Sequence, residues 1–209
     1  MGYHESCTVP FFISLFPILA YSQQHDAQPE KTLFWGPTVG HPVFAGNNFL
    51  NHSYTHRPSI SLELGVNIYR NFGLSASVRY HGAGLQTTQY VGNSKRGGIT
   101  EGGIFAFYLI PISDHWHFVP KVGVATFHLT NRMASDHSEN YRYTSEGEIY
   151  LLRPEMHYFF NQRISLFSSL EYGYVDLSRI QVTRELRHLY RASHQFHLSV
   201  GVRLWTSKR

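Results

Sequence analysis

Between Ser59 and Tyr69 every second residue is apolar: Ile60, Leu62, Leu64, Val66 and Ile68 alternate with Ser59, Ser61, Glu63, Gly65 and Asn67. Side chains on an extended chain point to opposite faces in turn, so this stretch predicts a strand with one apolar and one polar face. The pattern recurs along the chain. Strands are expected over Thr32 to Val39, Ser59 to Tyr69, Leu74 to His81, Ile99 to Ile110, Trp116 to Leu129, Glu148 to Phe160, Ile164 to Val175 and His194 to Trp205. In the last of these, Phe196, Leu198, Val200, Val202 and Leu204 oppose His197, Ser199, Gly201 and Arg203.

The connections between these segments alternate in length. Those after the second, fourth and sixth segments are tight and carry turn formers such as Arg70-Asn71-Phe72-Gly73, Ser113-Asp114 and Asn161-Gln162. The others are long and polar, running from His41 to Pro58, Gly82 to Gly98, Thr130 to Gly147 and Asp176 to Ser193. An even number of strands, with long loops at one end and short turns at the other, is the organisation of an outer-membrane barrel. The fold class expected is all-β, an eight-stranded antiparallel up-and-down transmembrane β-barrel.

The chain start fits that destination. Val9 to Ala20 is a continuous apolar run, too short for a spanning helix, which needs about 20 residues. Ala20 and Ser22 flank Tyr21 as small residues at a leader-peptidase site, so residues 1–22 are expected to be a cleaved signal peptide, 23–31 a short N-terminal segment and 32–209 the barrel domain. The sole cysteine, Cys7, precedes the run, so a mature chain would carry no disulfide and must rely on packing or a membrane. No second apolar stretch approaches helical spanning length, which leaves a closed barrel as the way to satisfy backbone groups in lipid.

Charge then tells the two faces apart. The polar faces carry Glu63, Glu101, Glu155 and Glu171 together with Arg79, Lys121, Arg153 and Arg203, four acids against four bases. An eight-stranded barrel has an interior only wide enough for side chains to fill. A balanced set of charges inside it predicts a packed ion-pair network and argues against a water-filled pore. The apolar faces place aromatics near strand ends (Trp35, Tyr69, Tyr80, Tyr108, Trp116, Phe118, Tyr158, Phe160, Tyr172, Tyr174, Phe196 and Trp205), as interfacial girdles do. Net charge is only +4 and the basic residues form no cluster. Together with export, this argues against a nucleic-acid partner.

From about Lys31 to Trp205 the chain resembles the small eight-stranded outer-membrane β-barrel proteins of the OmpA/OmpX kind. The likeness lies in this architecture and in the last strand, Ser199-Val200-Gly201-Val202-Arg203-Leu204-Trp205, although the chain continues to Thr206-Ser207-Lys208-Arg209. The resemblance implies a bacterial outer-membrane location and a monomer. Its implied partners are outer-membrane lipid, lipopolysaccharide and the barrel-assembly machinery. The expected role is structural or in surface interaction through the four loops, without a cofactor. Some barrels of this size act on lipid A, and for that alternative the weak catalytic candidates are His197, Ser199 and Glu171. The His-x-Ser-Asn run of the deacylases is not matched, because Val200 follows Ser199. A small-solute, porin-like channel is the other alternative. The histidines of the loops, His41, His52, His56 and His137, with His188 and His194 near the last loop, are expected to be solvated. His52 and His56 would form a metal-binding pair only if their loop were helical, and no cysteine or carboxylate cluster supports it. So many imidazoles also suggest a pH-sensitive surface. Lys95-Arg96 and the Arg184–Arg191 region are open to two readings, contact with anionic lipopolysaccharide at the rim or simply solvated loops.

Overall fold

A computed structural model describes residues 31–86, 94–133, 142–177, 185, 189–190 and 192–207. The expected signal peptide, the segment up to residue 30, His137 and His188 lie outside the described residues. The elements are β1 (Lys31–Ala45), α1 (Phe49–Ser53), β2 (Tyr54–Tyr69), β3 (Phe72–Leu85), β4 (Ser94–Tyr108), the two-residue β5 (Ile110–Pro111), β6 (Trp116–Met133), β7 (Arg142–Phe159), β8 (Ile164–Asp176) and β9 (Ala192–Ser207). Strands run in the order β4-β3-β2-β1-β9-β8-β7-β6, and β4 pairs with β6 to close the ring. Every pairing is antiparallel. The eight long strands thus form a closed up-and-down barrel, which leaves no unpaired sheet edge.

The wall has reversed polarity relative to a soluble protein. Ile60, Leu62, Leu64 and Ile68 are each more than half exposed, whereas Glu63 between them is 2% exposed. The same holds on the last strand, where Leu198 and Val200 are exposed while His197, Ser199 and Arg203 are buried. Exposed apolar residues ring the barrel, from Val39 on β1 through Val78, Ile104, Val122, Leu152 and Leu170 to Val200 on β9. A continuous apolar surface of this extent is not stable in water and is what a hydrocarbon environment requires.

Three expectations need correction. First, the stretches read as long loops are partly strand: β1 continues to Ala45, β2 begins at Tyr54, β6 reaches Met133 and β7 starts at Arg142. The outer faces of β6 and β7 turn polar above the apolar belt, but ladder hydrogen bonding and inward apolar residues such as Phe44, Phe127, Leu129 and Ile149 carry the strands onward. Second, the interior is not polar throughout. One apolar cluster lies toward the loop end, including Phe44, Ile99, Phe127, Leu129, Ile149 and Val175. A smaller one of Phe34, Phe107, Leu109, Val119, Phe159 and Trp205 lies toward the end with the tight turns. Third, Trp205 is not an outward girdle residue. It shares the phase of Arg203 and is 5% exposed inside the barrel.

The interior is filled closely. A Cβ on Gly65 would lie 2.3 Å from Phe34 Cζ and 2.9 Å from Ser75 Cβ, so only glycine lets the Phe34 ring lie across the lumen there. At the loop end, α1 folds over the mouth. Asn48 caps it, its Oδ1 accepting from Asn51 N at 3.0 Å and its Nδ2 donating to Ala45 O at 2.9 Å. Gly46, with φ +100, turns the chain into this cap. Phe49 and Leu50 are buried, Phe49 N donates to Leu189 O, and the Phe49 and Tyr190 rings stack at 4.1 Å.

Candidate functional site

All eight charged residues picked from the alternation point into the lumen and are buried, between the two apolar clusters. The strand register explains why they need one another. Arg79 on β3 and Glu101 on β4 are direct cross-strand partners, but Lys121 on β6 lies opposite Arg153 on β7. Like charges so placed repel, and acids from across the barrel resolve the conflict. Glu63, from β2, accepts from Lys121 Nζ at 2.6 Å, Arg153 Nη1 at 3.1 Å and Arg203 Nη2 at 2.6 Å. Glu155 takes Lys121 Nζ at 3.0 Å and lies 3.6 Å from Arg203 Nη2. Arg79 donates to Glu101 at 2.7 Å and grips both oxygens of Glu171 at 2.7 and 3.0 Å, while Arg153 Nε also donates to Glu171. Rings complete the solvation of the cations: Arg203 lies 3.9 Å from the Phe167 centroid and Arg153 4.1 Å from that of Phe105.

A second polar chain joins the last strand to this network. Trp205 Nε1 can only donate, and it does so to Ser165 Oγ at 2.9 Å. The Glu155 carboxylate can only accept, so His157 Nε2–H donates to it at 2.8 Å, and His157 Nδ1 accepts from the Ser165 hydroxyl at 3.2 Å. Arg203 closes the circuit onto β1 through Thr38 Oγ1 and Gly36 O. Side chains of all eight long strands are therefore held by one connected set of hydrogen bonds. The alternation puts His157, Ser165 and Ser169 on the polar face without giving them roles. Their signal is their phase, two residues from a charge or a multiple of two.

The three catalytic candidates are near one another but engaged elsewhere. Ser199 Oγ pairs with Ser169 Oγ at 2.6 Å, and His197 Nε2 pairs with Ser59 Oγ at 2.7 Å. Glu171 is opposite His197 in the β8–β9 register, but its carboxylate is taken by Arg79 and Arg153. No Ser–His–acid relay runs through Ser199. His52 and His56 are also separated: His52 is on α1 and meets Asn47 Oδ1 at 2.8 Å, whereas His56 is on β2 and meets Leu50 O at 3.1 Å. Among the described residues no group of three or more His, Cys, Asp or Glu side chains is placed to hold a metal ion.

No protein-family profile and no curated protein matches the sequence. Solved structures do match in shape. The crystal structure of neisserial surface protein A is similar with a TM-score of 0.59 at 10% identity, covering 83% of this chain and 97% of that one. The fold is that of the small outer-membrane β-barrels. A major outer membrane protein from Thermus thermophilus gives 0.57 at 11% identity over 83% and 99% of the two chains. The outer membrane protein OprG from Pseudomonas aeruginosa gives 0.54 at 8% identity over 87% and 99%. At such identities the likeness concerns backbone architecture alone.

Proposed function

We propose that this chain is a bacterial outer-membrane barrel with a structural or surface-interaction role, presented to the outside by the loops that join β1 to β2, β3 to β4, β6 to β7 and β8 to β9. The observation that carries this reading is the reversed polarity: an exposed apolar belt around a lumen whose four acids and four bases are buried and mutually paired. Burying that many charges is tolerable only when each is compensated, and compensation here comes from lumen partners alone. The filled lumen favours a barrel without a steady conduction path. The apolar belt takes outer-membrane phospholipid and the acyl chains of lipopolysaccharide. The barrel-assembly machinery is the partner implied for insertion, and the loop-end surface is what other molecules meet.

Cell fractionation with heat-modifiable gel mobility tests the reading. The protein is expected in the outer-membrane fraction, with a folded band that shifts on boiling. Recovery as a soluble periplasmic protein would overturn it. Lipid A mass spectra from cells with and without the protein are expected to be the same. An acylation change that Ser199→Ala abolishes would replace this role by a hydrolase.

A further inference from the structure

Three imidazoles, His56, His81 and His197, lie inside the barrel between α1 and the Arg79–Glu171 pair. His81 is fully buried and His197 is 1% exposed. His56 reaches up to the helix: its Nε2 donates to Leu50 O at 3.1 Å, its ring packs on Phe44 with centroids 4.3 Å apart, and His81 meets it edge-on at 5.7 Å. His197 Nε2 is held by Ser59 Oγ. Among the described residues, His56 Nδ1, His197 Nδ1 and both ring nitrogens of His81 are buried without a partner.

The groups that face the trio are mostly cationic or neutral. They are Tyr54 from β2, Arg79 from β3, Arg153 from β7 and Glu171 from β8, with His41 acting on them from the outer face of β1. The Glu171 carboxylate already serves two guanidiniums. A proton taken up by His81 or His197 therefore adds a positive charge beside Arg79, and one taken up by His56 adds it towards His41. Above the trio, Leu50 of α1 is fully buried while Asn51 and His52 of the same helix are exposed.

We propose that His56, His81 and His197 form an acid-sensitive latch beneath α1, so that protonation releases the helix and opens the loop-end mouth of the barrel. His56 stands on the part of β2 above the apolar belt, which begins at Ile60. Burial holds it at about 4, below the ordinary imidazole value of 6.5. The sign follows from that depression. With the helix displaced, His56 regains its ordinary value, so the open form binds the extra proton. The closed form keeps its full advantage above about 6.5 and loses it as pH falls towards about 4. Within that window each unit of pH raises the open population by up to about tenfold per participating histidine.

Hydrogen exchange of the full protein in lipid vesicles, corrected for the intrinsic pH dependence of exchange, tests the latch. Protection of the Leu50–Ser53 amides is expected to fall at least about tenfold between pH 7 and pH 5, while the β8 amides from Leu166 to Tyr174 keep theirs. In the combined variant His56→Gln, His81→Gln, His197→Gln, the α1 protection is expected to be flat across that range. Unchanged α1 protection in the unsubstituted protein, or the same acid loss in the combined variant, would overturn the proposal. If heat-modifiable mobility shows that the combined variant does not fold, His56→Gln alone serves. Its pH response is expected to be shallower, and an unaltered slope is the contrary result.

Discussion

Glu63 is where three cations from three strands converge, Lys121 from β6, Arg153 from β7 and Arg203 from β9. Neutralising it leaves those buried charges sharing Glu155 and Glu171. Breaking a buried ion cluster by removing one partner typically costs about 3–5 kcal/mol, and Glu63→Gln is expected to fall in that range by urea unfolding in vesicles. A smaller effect belongs to Trp205→Phe, which keeps the ring in the Phe34–Phe159 cluster but removes the donor to Ser165. A loss of about 1 kcal/mol is expected from the same unfolding measurement. These two residues also show what is legible one side chain at a time. Glu63 is readable because a charge at an alternating position in an apolar segment has one sensible destination. Trp205 is easily misread because an aromatic at a strand end fits a girdle as well as a lumen, and only its two-residue spacing from Arg203 tells the two apart.

Among elements, the tight hairpins are the most legible because their residue chemistry is local. Asn161 Oδ1 accepts from Arg163 N at 2.8 Å and Ile164 N at 2.9 Å, an Asx-type turn of the kind expected from Asn after a strand. Asn161→Ala is expected to cost about 1 kcal/mol, read as a lower urea midpoint. The β2–β3 turn holds a different lesson. Arg70 sits at φ 48, a left-handed conformation that costs a non-glycine residue about 1–2 kcal/mol and that Asn tolerates better. Arg70→Asn is therefore expected to raise the urea midpoint, against a small loss of the Arg70–Tyr69 cation–π contact. The loop-end strand limits are the least legible. Above the belt, β7 turns Thr144, Glu146 and Glu148 outward, and a polar outer face there looks the same in sequence whether the backbone is paired or free. What prolongs the strand is the inward row of Ser145, Gly147 and Ile149 and its register with β6, which no single segment reveals.

For the whole molecule, the decisive quantity is the sign of the polarity difference between inside and outside, and one substitution measures it. Leu62 is 56% exposed near the middle of the apolar belt of β2, opposite Val78 on β3. One residue away in the same ladder, Arg79 faces Ser61 and is fully accommodated, because it points into the lumen and meets Glu101 and Glu171. An arginine at position 62 would sit one residue along the same ladder and point the opposite way. In lipid, Leu62→Arg is expected to cost about 2–4 kcal/mol, the usual penalty for a cation near the bilayer midplane on a barrel wall. On a water-exposed wall the same change would move stability by no more than about 0.5 kcal/mol. Urea unfolding in phosphatidylcholine vesicles separates the two outcomes widely. A near-neutral Leu62→Arg, with Glu63→Gln still strongly destabilising, would mean that the paired lumen is right and the lipid-facing wall is wrong. A large penalty for both would tie the charges inside and the apolar belt outside to one folding equilibrium.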